Sequence, residues 1–274
     1  MSSQYLIDTC FRFPGIVKKY FKLTELLNFN ENYQVRIETE RYLLKTANCY
    51  TEIFFILLLR YRNFLSRAST LISFGIDLDK FDSTCDHLIV IDKVDKKICG
   101  TYRLRATTYT DKFYSESEFN LDDFLKTPGV KLELGRACID KSYRNGAVID
   151  LLWRGIGSYA KKCQARYLFG CSSIQTLDTT EASRIYKYFV KNGLIGSDYI
   201  VSPHAHYRRD LDYSNKVGLN DIDKFKVPPL LRTYFQGGAK VYGSPAFDYS
   251  FKCIDFLTIM DIRHLNHSFK RRYF

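Results

Sequence analysis

The run 131–139 (KLELGRACI) carries Glu133 and Arg136 on a strand-like segment, and the polar turn 140–146 (DKSYRNG) leads from it into a helix starting near Val148. The first backbone N–H groups of a helix have no intrahelical partner and form a ready anion site. Arg144 and Gly146 stand in the turn before it. The unit therefore offers phosphate binding beside a strand end that bears a carboxylate and a guanidinium. Residues three apart on a regular strand face opposite sides, and Gly135 is a permissive place for a bulge that changes this. Taken alone, each piece has a plainer reading, since a single Glu on a strand is more often a surface or ion-pair residue.

The other chemistry-bearing residues are less organised. Cys10, Cys49, Cys85, Cys99, Cys138, Cys163, Cys171 and Cys253 occur singly, with no CxxC and no nearby His at zinc-like spacing. That pattern argues against structural zinc or a disulfide scaffold and for reduced, buried thiols in a cytosolic protein. His204 and His206 lack an obvious third ligand, so no metal is expected. Cys171 and Trp153 read as packing, and His87, at a strand start, as a local hydrogen-bonding residue.

These residues need elements to hold them. Strands are expected at 33–37, 87–92, 98–107, 131–139 and 166–171, and helices at 40–66, 148–163 and 180–191, with a short one at 119–125. Antiparallel strands followed by a β-α-β-α unit predict an α/β (α+β) domain with a mixed, mostly antiparallel central sheet flanked by helices. Three parts are expected: an N-terminal amphipathic segment over 1–32, a core over 33–200, and a C-terminal extension over 201–274 packed on that core.

The strand–turn–helix resembles the acyl-coenzyme-A-binding unit of the GNAT N-acyltransferase superfamily, whose loop reads Arg/Gln-x-x-Gly-x-Gly/Ala. Here the register gives Arg144-Asn-Gly-Ala147-Val-Ile149, with Ala and Ile in place of the two glycines. The strings DHLIVID (86–92), CGTYRLRATTY (99–109), LELGRACIDKSYRNGAVIDLLWRGIGSYA (132–160), YLFGCSSI (167–174) and the tail 228–262 together resemble the ornithine-lipid-synthesis N-acyltransferases, also called hemolysin-like. Asp82, Asp86, the Gly-x-x-Arg-Leu around Arg103, and Glu133-x-x-Arg136 resemble, more distantly, the acyl-homoserine-lactone synthases.

These resemblances imply a GNAT-like fold and an acyl group, 3-hydroxylated or not, delivered by acyl carrier protein to the α-amino group of an amino acid, with ornithine the first expectation. The product is a lyso-aminolipid, and no cofactor is permanently bound. Glu133 is implied as the base, with Arg103 and Arg136 binding the acceptor carboxylate or pairing with Asp82 or Asp86. Tyr186 is implied either as proton donor to the leaving thiolate or as helix packing. Ala137, Cys138, Ile139, Arg144, Asn145, Gly146 and Ala147 are implied to hold the phosphopantetheine, with backbone N–H groups of 137–139 as an oxyanion site. Asp82, Asp86 and His87 are implied to bind the acceptor or shape the site. A carrier's phosphopantetheine has a single phosphodiester, which suits a loop without close-approach glycines.

The balance of 41 Lys+Arg against 30 Asp+Glu gives +11, which predicts an acidic partner. Acyl carrier protein is one. An anionic membrane surface is another, because residues 11–27 combine Phe11, Phe13, Ile16, Val17, Tyr20 and Phe21 with Arg12, Lys18, Lys19 and Lys22. Nucleic acid is not expected, since no aromatic–basic RNA-binding motif is present. The longest apolar run, 53–59, is too short to span a bilayer, and the first residues lack a secretory pattern. The expected location is cytoplasmic, peripheral on the inner membrane face. The alternatives are a homoserine-lactone-type signal synthase and a non-catalytic, basic GNAT-like protein that binds membrane or nucleic acid.

Overall fold

The computed structural model of the chain describes residues 24–64, 75–211 and 225–274. In chain order its elements are β1 (Arg36–Glu38), β2 (Tyr42–Thr46), α1 (Tyr50–Phe64), β3 (Asp86–Asp92), β4 (Lys97–Ala106), β5 (Phe119–Asn120), α2 (Asp122–Lys126), β6 (Val130–Ile139), α3 (Ala147–Lys162), β7 (Ala165–Ile174), α4 (Thr179–Lys191), β8 (Ser202–Pro203), α5 (Pro229–Gly237), β9 (Lys240–Asp248), β10 (Cys253–Asp261) and α6 (His267–Tyr273). Two compact units form. One holds the described residues up to Leu104 with Arg136–Tyr159, and the other holds Arg105–Gly135 with the described residues from Ala160 on.

In the first unit β1, β2, β3 and β4 pair in that order, all antiparallel. Alternation along β3 sends Ile89 into a cluster with Ile53, Ile56 and Leu57 of α1. On the other face, a Cβ at Gly155 of α3 would lie 2.7 Å from Leu44 and 3.2 Å from Leu88, so glycine is what lets this helix approach β2 and β3. The expected helix over 40–66 is in fact a strand and then a helix. Residues 42–46 are short enough to satisfy either period, and pairing with both β1 and β3 decides for the strand. The helix begins after Asn48, whose N–H donates to Glu52 at 3.0 Å. Residues 1–23 of the expected amphipathic segment lie outside the described residues. At its far end Leu26 and Phe29 are buried against α1.

In the second unit the order is β6-β7-β10-β9, with β6 and β7 parallel and the rest antiparallel. This is the mixed, mostly antiparallel pattern expected. One face carries an aromatic cluster including Phe113, Phe124, Tyr167, Phe169 and Tyr242. The other packs Phe256, Phe247 and Ile254 against Ile185 and Phe189 of α4 and Leu231 of α5. The C-terminal segment contributes β9 and β10, and β10 pairs along β7 from Ile254 to Asp261. Among the described residues no helix is long and apolar enough to cross a membrane.

Candidate active site

Glu133 lies on β6 in the second unit, opposite Phe169 in the parallel ladder, and is 5% exposed. Both its oxygens are held: Tyr114 N–H donates to Oε2 at 2.9 Å and Ser115 N–H to Oε1 at 2.7 Å. These donors open the short helical turn Ser115–Ser117. A carboxylate can accept about four hydrogen bonds, so lone pairs remain for an amine or a water. The β6–β7 ladder ends at Glu133, whereas β7 continues, paired with β10, to Ile174. At that point the strands touch closely. A Cβ on Gly170 would sit 2.2 Å from the Leu134 carbonyl oxygen, so only glycine fits there.

Cys171 follows on the same face of β7, its Sγ 3.5 Å from Ser115 Oγ. Burial, with Glu118 and Asp255 nearby, pushes its thiol well up, which makes it a neutral packing group. Tyr186 packs against the Ile185–Phe189 cluster, on the opposite sheet face from Phe169.

In the first unit, three guanidiniums and three carboxylates interlock. Arg60 Nε donates to Asp77 at 2.7 Å and its Nη1 to Asp82 at 2.7 Å. Arg103 Nη1 donates to Asp79 at 2.7 Å and to Asp82 at 3.0 Å, while Arg136 Nη2 donates to Asp79 at 3.0 Å. Burial alone would raise the Asp82 carboxyl, but Arg60 and Arg103 outweigh it and hold the group well below the usual range. Asp79 is lowered in the same way by Arg103 and Arg136. Arg103 and Arg136 thus form ion pairs within the protein, and Asp82 is the partner expected for one of them. Asp86 instead accepts from Asn32 N, Tyr33 N and the Tyr159 hydroxyl, tying down the chain before β1. His87 is fully buried, its Nε2 3.0 Å from the Asp82 carbonyl oxygen, and burial lowers it to about 4. It is a neutral structural imidazole at pH 7.

The backbone distortion expected at Gly135 falls one residue later, where Arg136 has φ 51°. That left-handed conformation costs a side-chain-bearing residue roughly 1–3 kcal/mol, and the ion pairs to Asp77 and Asp79 accompany it. Cys138 is buried, its Sγ 3.8 Å from the Leu59 carbonyl oxygen, and burial raises its thiol to about 12. The side chains of 137–139 are therefore not nucleophiles, and any role for this stretch falls to its backbone.

In the turn, Asp140 accepts from Ser142 N at 3.0 Å, and Gly146 has φ 94° with open space around it. Asn145 Oδ1 accepts from Ala147 N at 3.2 Å at the start of α3. Arg144 is exposed and donates to the Ile139 carbonyl and to Asn63 Oδ1. These contacts pose the loop 144–147 at a helix N-terminus, as the sequence pattern requires.

Arg60, Asp77, Asp79 and Glu118 are absent from the sequence-based set. Arg60 stands seven residues after Ile53 and four after Ile56, so the charge falls on the buried stripe of an apolar helix. That misplacement is the signal that would have found it.

Residues 59–154 match the family model described as an acetyltransferase (GNAT) domain. The L-ornithine N(alpha)-acyltransferase of Rhizobium meliloti (strain 1021) is 31% identical over 207 residues, covering 70% of each chain. That of Brucella abortus (strain 2308) is 29% identical over 208 residues, 72% of this chain and 74% of its own. Among solved structures, FeeM, an N-acyl amino acid synthase from uncultured soil microbes, superposes with a TM-score of 0.45 at 9% identity, covering 82% of this chain and 93% of its own. The AHL synthase LasI gives 0.45 at 11% identity, covering 88% and 96%. The protein is a GNAT-class acyltransferase. It belongs to the family of the L-ornithine N(alpha)-acyltransferases.

Proposed function

We propose that the protein transfers a fatty acyl group from the phosphopantetheine thioester of acyl carrier protein to the α-amino group of ornithine, giving a lyso-ornithine lipid. The observation that carries this reading is Glu133: a buried carboxylate, fixed by two backbone N–H groups, where the β6–β7 ladder ends, in a chain of this family. The acceptor ammonium first gives a proton to Glu133, directly or through water. The freed nitrogen lone pair attacks the thioester carbonyl, a C–N bond forms, and the oxyanion draws on backbone N–H groups of 137–139. Collapse breaks the C–S bond. The pantetheine thiolate leaves and takes up a proton, so acyl thioester plus amine become amide plus thiol. Tyr186 packs in the α4 cluster on the sheet face away from Phe169, so that last proton comes from water and Tyr186 has the packing role.

The loop 144–147 receives the donor's phosphate through backbone N–H groups and Arg144. Arg103 and Arg136 act with Asp79 and Asp82 as a rigid frame, and an acceptor carboxylate would draw on Arg136, the less buried of the two. The surplus of basic residues steers the acidic carrier to its site. Catalysis takes place in the cytoplasm, and the amphiphilic product enters the inner face of the membrane, to which the basic-aromatic segment 11–27 would adhere.

The donor is tested by steady-state kinetics with matched acyl chains. Acyl carrier protein should exceed acyl-coenzyme A in kcat/KM by more than tenfold, because Ala147 and Ile149 stand where the pyrophosphate loop carries glycines. The advantage should shrink as salt is raised. Equal kcat/KM for the two donors would overturn the carrier assignment.

A further inference from the structure

The second unit holds an acidic group that the proposed reaction leaves unused. Glu118 is 1% exposed, and its Oε2 has no hydrogen-bond partner. Its backbone closes the turn that Glu133 opens: Glu118 N–H donates to the Ser115 carbonyl at 3.2 Å, and Ser115 N–H donates to Glu133. Asp255 on β10 and Asp248 on β9 are its acidic neighbours, and with burial they raise its carboxyl. Asp255 is on the same face of the sheet as Cys171. It accepts from Ser173 Oγ at 2.5 Å. Burial, with Glu118, Asp248 and Asp255 nearby, raises the Tyr207 hydroxyl. A buried carboxyl next to two further acids is costly to ionise, so it keeps its proton until an arriving cation displaces it.

We propose that Glu118, with Asp255 beside it, receives the side-chain ammonium of a dibasic amino-acid acceptor and thereby selects ornithine-like acceptors over neutral ones. The inference rests on the amino-acid acylation proposed above and adds the part of the site that reads the acceptor's side chain. Glu118 and Glu133 are tied to the same residue, Ser115, through its carbonyl and its N–H respectively, and the α-amine of ornithine is separated from its δ-amine by a short carbon arm. A metal ion is the competing occupant, because Asp248, Cys253 and Asp255 bring ligand atoms within 4.8 Å of one another. Against it, Asp248 already accepts from the turn N–H groups of Ser250 and Phe251, and the Cys253 thiol donates to Asp255 at 3.4 Å, so it is a thiol and not a ligand thiolate.

The test compares ornithine with norvaline, which has the same carbon skeleton without the δ-amine, as acceptors for the wild type and Glu118→Gln. The wild type should prefer ornithine strongly. Glu118→Gln should lose about 10- to 100-fold in kcat/KM for ornithine, the worth of one buried charge-assisted contact, mostly through KM. Norvaline should change less than about threefold. Folding is checked by thermal melts. Burial, then Asp255 and Asp248, raise the Glu118 carboxyl from 4.5 to about 9. Its contribution to stability is thus full below the unfolded value and lost as pH rises toward 9. The neutral amide has no such loss, so Glu118→Gln should melt at or above the wild type, with a lead that grows from pH 5 to pH 9.

Glu118→Asp is the second variant: it keeps the charge but withdraws it by one methylene, and should shift preference from ornithine toward lysine. An ornithine-to-norvaline ratio unchanged in Glu118→Gln overturns the inference and leaves the acylation reading standing. So does loss of ornithine acylation on dialysis against EDTA with restoration by Zn²⁺ or Mn²⁺. A wild type that acylates no amino acid overturns both.

Discussion

Glu133→Gln is expected to slow amide formation by about 100-fold or more, the usual worth of a positioned general base. Glutamine keeps the shape but cannot take a proton from an ammonium. It is not silent for stability, however. Both carboxylate oxygens accept backbone N–H groups, from Tyr114 and Ser115. The amide offers one acceptor and turns an NH₂ toward the other donor. The lost charge-assisted bond should cost roughly 1.5–3 kcal/mol, read as a lower urea midpoint with the transition still cooperative. The kinetic and structural effects separate by comparison with Tyr114→Pro, which removes one of the N–H groups that hold the turn but keeps the carboxylate: it should share the stability loss without the loss of the base. Full activity in Glu133→Gln would remove Glu133 from the mechanism.

The second large effect is on stability. Arg60→Met should destabilise the protein by about 3–5 kcal/mol, the cost of leaving buried carboxylates without their counter-charge. Arg60 is wholly buried and bonds two carboxylates, those of Asp77 and Asp82. The methionine fills much of the volume, so the loss reports charge and not a cavity. The sign with pH follows from Asp82. Its carboxyl is lowered in the folded state, so the stability it supplies is present above the ordinary carboxylate pKa of about 3.9 and fades as pH falls below it. In Arg60→Met that lowering is weakened. The gap between the variant and the wild type should therefore narrow between about pH 4 and pH 2. Urea titrations at the two pH values measure it, and a gap that widens on acidification would contradict the ion-pair account.

What the sequence disclosed and what it withheld follow from the range of the interactions. β3, β4, β6 and β7 announce themselves by continuous apolar or alternating runs, and α3 and α4 by a 3.6-residue stripe, all of which are local signals. The run 42–46 failed as a helix because five residues carry no decisive period. Its state is set by β1 and β3 on either side. Glu133 was legible as a candidate because its strand, turn and helix are adjacent in the chain. The two N–H groups that hold it come from residues 114–115, and no spacing rule reaches that far. Arg103 and Arg136 were visible as charges on strands, but the acids that bind them were only half found. Asp82 was in the pattern, whereas Asp77 takes its meaning from Arg60 on α1, and Asp79 from Arg103 and Arg136 on two separate strands. Glu118 gave no signal at all, since its importance lies in an oxygen left without a partner.

The central claim is that this chain joins a carrier-borne acyl group to the α-amine of ornithine. The direct measurement is mass spectrometry of lipids extracted from a bacterial host that makes no aminolipids, expressing the wild type or Glu133→Gln. The account predicts an N-acyl-ornithine in the wild-type extract, with the acyl chain on the α-nitrogen by fragmentation, and its near-absence with Glu133→Gln. An acyl-homoserine lactone in its place, or no acylated amino acid at all from well-folded protein, would contradict it.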